Sequence, residues 1–225
     1  MRKNILIVVA LLSVQIATAQ IRFGLKAGFS GASVKLTDPV DVPDRNEFML
    51  PAFHAGVLAD IPLAKWFSVQ PALFYSVAGY RTRPQAETGN WYYIAKFRYN
   101  YLELPVNFMF KKKLGDGKVV AGFGPALAYG IGGKATYFDN GTKEKTERIK
   151  FDGEEVTENT KELHANPVDV SANFLVGYEF TPGFLLTAGY SLGFKNVTTR
   201  NNSEELNRSF RISFGYLFPH VRRSN

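Results

Sequence analysis

The chain of 225 residues contains no cysteine. This excludes a disulfide framework, a thiolate metal site, a cysteine nucleophile and a lipidated N-terminal cysteine. Long apolar runs are missing too, although a polytopic helical membrane protein needs several of about 20 residues. Histidine is scarce, with His54, His164 and His220 the only three, and no catalytic or metal-ligand motif surrounds them. What is abundant points elsewhere. Hydrophobic residues at 45% exclude a disordered chain, and 14% aromatics with 20 glycines is the composition of an all-β barrel or sandwich.

Residues 1–19 have the three-part layout of a secretory signal peptide. Arg2 and Lys3 supply the positive start, Ile5 to Leu12 the short apolar core, and Ala17-Thr18-Ala19 the cleavage site before Gln20. The formal net charge of +7 is partly this leader. Without Arg2 and Lys3, 25 cations face 20 anions, which leaves +5. An exported chain of that charge gives no reason to invoke nucleic acid.

Beyond Gln20 the dominant signal has period two. Ile21, Phe23, Leu25, Ala27 and Phe29 alternate with Arg22, Gly24, Lys26, Gly28 and Ser30. Phe210, Ile212, Phe214, Tyr216 and Phe218 alternate with Arg211, Ser213, Gly215 and Leu217 at the other end. Six further segments, 52–61, 66–80, 98–110, 118–131, 168–180 and 184–195, follow the same rule. Such alternation means strands with one face in an apolar medium.

The polar face identifies the medium. Glycines 24, 28, 56, 122, 124, 130, 177, 189, 193 and 215 lie on it. Small side chains suit the narrow inside of an eight-stranded barrel, whereas on the water face of a soluble barrel they would only weaken the strands. The opposite face carries Phe, Tyr, Leu and Val, with aromatics gathered near strand ends as in interfacial girdles. Connection lengths agree: 62–65, 111–117 and 181–183 are short, while about 31–51, 81–97, 132–167 and 196–207 are long. Strict short–long alternation is the pattern of outer-membrane barrels, with tight periplasmic turns and long external loops. The expected fold is all-β: an eight-stranded antiparallel up-and-down transmembrane barrel over residues 20–219, with a short periplasmic tail at 220–225. Pro71, Pro105 and Pro125 fall inside three strands, where bulges or shortened strands are expected because proline cannot donate to the ladder.

Ala17-Thr18-Ala19-Gln20 resembles the cleavage site of Bacteroidetes outer-membrane proteins. Gln70-Pro71-Ala72-Leu73-Phe74-Tyr75-Ser76, Tyr101-Leu102-Glu103-Leu104-Pro105-Val106 and Gly122-Phe123-Gly124-Pro125-Ala126-Leu127-Ala128-Tyr129 resemble the PorT-like family of outer-membrane β-barrel domains. The resemblance runs over nearly the whole mature chain and implies a barrel with prolines at these places. The founding member is tied to the gingipain-exporting type IX secretion system, so the resemblance also implies a role as an accessory factor in secretion.

The lumen-facing charges form the main candidate set. Strand direction puts Arg22, Asp60 and Glu179 near the periplasmic end, Lys26, Glu103 and Arg211 at mid-depth, and Asp169 and Lys195 near the outer rim. Opposite charges at matching depth predict a paired network that plugs the barrel, with Glu103 bridging Lys26 and Arg211. Lys111-Lys112-Lys113 reads as a solvated turn. Gly130-Ile131-Gly132-Gly133-Lys134 fails as a phosphate loop, because Ala128 and Ala135 replace required residues. The sequons at Asn140, Asn196, Asn201 and Asn207 read as loop and turn residues. The longest loop reads as a hairpin turning at Asp152-Gly153 or as a mobile loop, and Trp91, Tyr92, Tyr93, Tyr137 and Phe151 are the candidate external recognition residues. The reading is therefore an exported protein of the cell outer membrane with a structural or surface-interaction role. No catalytic, cofactor or metal site is expected. Partners are outer-membrane lipid or lipopolysaccharide, and proteins met through external loops or periplasmic turns. A lipid-modifying enzyme using His164 or His54 is the third alternative.

Overall fold

The computed structural model describes residues 21–37, 45–84, 93–139, 142–155, 163–200 and 203–219. The expected signal peptide, Trp91, Tyr92, His220 and the tail lie outside the described residues. Among the described residues there are ten strands: β1 (Arg22–Thr37), β2 (Arg45–Ala64), β3 (Phe67–Pro84), β4 (Tyr93–Leu114), β5 (Gly117–Asp139), β6 (Thr142–Lys150), β7 (Leu163–His164), β8 (Val168–Glu179), β9 (Phe184–Gly193) and β10 (Glu204–Leu217). Eight of them, all but β6 and β7, form a ring of antiparallel neighbours that β10 closes against β1. Closure leaves the ring no free edge.

The period-two pattern is realised along every wall strand. Phe23, Leu25, Phe29, Val57, Leu104, Phe123, Val176 and Phe214 stand out from the ring, and Leu58, Phe74, Met109, Thr187 and Ser213 are buried within it. Phe29 is 76% exposed. Leaving one such side chain in water forgoes about 1.5–3 kcal/mol, and a continuous belt of them requires lipid as the solvent. Rings border the belt below: Trp66 stacks on Phe110, and Tyr216 lies against Phe184 and Phe218. Inside, a methyl group added at Gly24, Gly28, Gly56, Gly124 or Gly177 would run into a backbone carbonyl oxygen of the neighbouring strand. The glycines are there because the strands are in contact.

The three prolines do not produce the expected bulges. Pro71, Pro105 and Pro125 lie in β3, β4 and β5, with Pro71 opposite Val106 and Pro105 opposite Ala126. On one side of each, the ladder skips two residue pairs and resumes in unchanged register, as from Leu58↔Ala72 to Ile61↔Val69 beside Pro71. Each missing N–H therefore costs local ladder bonds and leaves the strand length intact. Among the described residues of the ring, register shifts occur between Met49 and His54, between Pro62 and Ala64, and between Asn100 and Tyr101, and β5 and β6 shift between Tyr137 and Phe138.

The wall is taller on one side. β5 pairs with β8 only up to Tyr129↔Val168, and above that point it pairs with β6 from Gly133↔Ile149 to Asp139↔Thr142. β5 and β6 therefore pair as a hairpin up to Asp139↔Thr142, rather than as one turning at Asp152-Gly153. Asp152-Gly153 follows the end of β6, with Gly153 at φ +76°.

Candidate functional site

Within the ring, polar side chains are stacked in layers. At the periplasmic end Arg22 donates to Asp60 at 2.7 Å and to Glu179 at 2.6 Å. Lys111 reaches both oxygens of Asp60, at 2.6 and 2.7 Å, and Ser68 adds a third donor at 2.7 Å. Arg22, Asp60 and Glu179 meet as their depth along the strands predicts, whereas Lys111 is not the solvated turn residue that the Lys111-Lys112-Lys113 run suggests. That lysine belongs to β4, which continues to Leu114, and its side chain is 7% exposed. The signal was available: Lys111 keeps the odd-numbered parity of Glu103, Asn107 and Met109, all of which point inward.

At mid-depth Arg211 grips Glu103 through two parallel bonds of 2.9 and 2.8 Å, and Ser76 donates to the same carboxylate at 2.9 Å. His54 lies between Ser30 (3.0 Å from Nδ1) and Ser213 (2.8 Å from Nε2), with its ring edge against Phe74. Lys26 departs from expectation. It points into the lumen but forms no ion pair among the described residues, so Glu103 does not bridge it to Arg211. It lines a cavity of about 40 Å³ with His54, Asn107, Asn173 and Ser213. That volume holds a water or two.

Nearer the outer rim Asp169 accepts from Asn207 at 2.8 Å, and the Asn207 amide also approaches the Tyr101 hydroxyl at 3.4 Å. Lys195 is exposed and does not pair with Asp169. Asn207 is thus a buried strand residue of β10 and not a loop residue. Asn196 does organise a loop: its Oδ1 accepts from the Thr198 and Glu205 amides, and its Nδ2 donates to the Ser203 carbonyl. Tyr80 and Tyr99 both donate to Glu205, at 3.2 and 3.1 Å.

Above this layer the mouth is closed by an apolar cap. Val34, Tyr80, Tyr99, Tyr101, Ile149, Ala165 and Val197 form one buried cluster. Phe151, a candidate external recognition residue, turns inward over Gly130, edge-on to Tyr99 and Tyr101 at 6.0 and 5.5 Å. Tyr137 likewise packs against the cap, edge-on to Phe97. Backbone bonds from Ala165 to Lys150 and from Gly130 to Pro167 tie residues 165–167 to the end of β6 and to β5. Of the five candidate recognition residues, Tyr93 begins β4 opposite Asp139.

The cap is fastened at its edge by His164. Its Nδ1 donates to Asp152 Oδ1 at 2.7 Å, and the Glu154 amide donates to the same oxygen at 3.1 Å. Glu154 brings a third possible ligand atom within 4.8 Å, a juxtaposition that sequence spacing did not suggest and that the His164 bond accounts for. That bond holds the Asp152 carboxyl below its ordinary value of 3.8. A carboxyl depressed in the folded state contributes stability that is complete above its unfolded value and is lost as pH falls through the lower folded one. The cap edge is therefore expected to stay fastened from neutrality down to about pH 4 and to loosen only in stronger acid. Limited proteolysis across that range checks this, and loosening already at about pH 5 would contradict it.

A wall that meets lipid and a closed ring whose strands pair with one another on both sides define the outer-membrane class of transmembrane barrel. Within that class, the chain belongs to the family described as the outer membrane protein beta-barrel domain, whose model matches residues 15–199. Among solved structures, it is similar to Neisserial surface protein A at 13% identity and a TM-score of 0.43, covering 87% of this chain and 97% of that one. It is also similar to OprG of Pseudomonas aeruginosa, at 10% identity and a TM-score of 0.42, covering 89% and 96%. The attachment invasion locus protein Ail of Yersinia pestis gives 14% identity and a TM-score of 0.39, covering 88% and 98%. No curated protein sequence matches the chain.

Proposed function

We propose that this protein is a closed, non-conducting outer-membrane barrel whose work is done on its outer surface, by binding and without catalysis. The observation that carries this reading is the filled lumen. The Arg22–Asp60–Lys111–Glu179 cluster, the Glu103–Arg211 pair and the Phe151 cap occupy the interior in succession from the periplasmic end to the outer mouth. An eight-stranded barrel has room for its own side chains and little else. His54 is 2% exposed inside the lumen and the His164 side chain is 4% exposed, so neither imidazole stands open to a lipid substrate, which supports the non-catalytic reading. A type IX secretion role, and membership of the PorT-like branch, rest on the sequence resemblance alone.

Refolded protein in a planar bilayer tests the reading. The expected result is no steady conductance above that of the empty membrane, and no swelling of proteoliposomes in small sugars. A reproducible conductance step from the wild-type chain would overturn the closed-barrel reading.

A further inference from the structure

The outer flank of the tall side carries charge that the fold does not use. Arg98 of β4 is opposite Lys134 of β5, and Lys134 is opposite Arg148 of β6. Direct partners in a ladder project to the same side, so the three cations form one row across three strands. All three are exposed, and among the described residues none of them forms an ion pair. Lys150 stands two residues along β6 from Arg148. The acid beside the row, Glu147, is taken by Lys145 at 2.5 Å.

Immediately below the row the wall opens. The register shift at Met49/His54 and the one at Asn100/Tyr101 lie near the same height on the tall side, and such irregularities bend a strand away from its partner. A furrow of about 400 Å³ results, with Phe29, Pro51, Phe53, Tyr75 and Val77 as its apolar floor and Arg98 and Lys134 at its rim. Next to it a second depression of about 640 Å³ is lined by Gly132, Gly133, Lys134, Arg148 and Lys150, with Glu147, the carboxylate held by Lys145, also on its wall. A side chain at Gly132 would meet nothing within 4 Å, so the shelf beneath the cations is open.

An apolar furrow continuous with the lipid belt, ending under three uncompensated cations, matches a molecule with acyl chains below and phosphate above. We infer that the Arg98–Lys134–Arg148 row and the furrow beneath it bind lipid A, the phosphorylated acyl saccharide of the outer leaflet. The inference rests on the outer-membrane reading and on the outward orientation of the β5–β6 hairpin. The cations take the phosphates through charge-assisted hydrogen bonds, and the furrow takes an acyl chain.

The test uses the full chain refolded in detergent, with bisphosphorylated and enzymatically dephosphorylated lipid A as probes and native mass spectrometry as the readout. The variant combines Arg98→Ser, Lys134→Ser and Arg148→Ser. A control carries Lys112→Ser and Lys113→Ser at the exposed periplasmic end of β4. Heat-modifiable gel migration verifies that each protein is folded. The expected result is a loss of about a hundredfold in affinity for bisphosphorylated lipid A in the triple variant, with the control at wild-type affinity and dephosphorylated lipid A unaffected by the substitutions. Equal affinity of wild type and triple variant for the phosphorylated lipid would overturn the inference. So would inorganic pyrophosphate binding as tightly as lipid A, because the furrow would then contribute nothing. The bilayer conductance measurement is independent of both outcomes, so failure here leaves the closed-barrel reading standing.

Discussion

Replacing Glu103 by Ala is expected to lower the unfolding free energy by about 3–5 kcal/mol, the usual cost of removing one partner from a buried ion pair. Glu103 is 3% exposed and accepts two bonds from Arg211 and one from Ser76. Its removal leaves the guanidinium facing a cavity that also holds Lys26, so two cations share the middle of the lumen without an anion. Glu103→Gln keeps the shape and part of the hydrogen bonding and is expected to cost less, about 1.5–3 kcal/mol. Replacing Glu103 and Arg211 together by Met removes both desolvation penalties and should be close to neutral. Urea titration of the protein refolded into vesicles, followed by tryptophan fluorescence, measures all three. A cost below about 1 kcal/mol for Glu103→Ala would mean that the pair does not hold the lumen together.

Gly124→Val is expected to abolish the heat-modifiable folded form. A Cβ at Gly124 would run into the Val106 carbonyl oxygen, with the Asn107 Cα 2.9 Å away. Both obstacles are backbone, so no change of rotamer relieves them and β4 and β5 would have to separate. Overpacking against side chains costs about 1–3 kcal/mol, and forcing strands apart in a closed ring costs more. Gly132→Ala is the informative contrast. The site has open space around it, and its φ of +149° leaves only backbone strain of about 1–3 kcal/mol. If the two substitutions destabilised equally, strand contact would not be what requires glycine at position 124.

How much of this was legible in the chain follows from the range of the forces involved. Inward and outward faces are local, set by the period of two and the solvent on each side, and they can be read for every wall strand from Phe23 to Phe218. Depth is nearly as local, so Arg22, Asp60 and Glu179 could be grouped before any contact was known. Partner choice is not local. Arg22 and Glu179 are 157 residues apart, and Glu103 takes Arg211 rather than Lys26 because of how the strands are staggered around the ring. Phe151 escaped because it lies past the end of β6, where parity no longer applies and the apolar cap decides its direction. The prolines misled for another reason: the rule against proline in closed sheets weighs lost hydrogen bonds, and this wall tolerates short gaps in three adjacent strands without losing register.

The seam between β1 and β10 bears on how the protein is made. These strands are joined over fourteen residue pairs, from Gly24↔Leu217 to Thr37↔Glu204. The first wall strand synthesised thus waits for the last before either has both neighbours. Until Phe218 has been made, β1 exposes one complete set of backbone donors and acceptors, and a wall whose outer face suits only lipid has no stable place in water. Assembly is therefore an event of the whole chain at the membrane, and a truncation within β10 should be cleared as unfolded protein, because no smaller barrel is available to it.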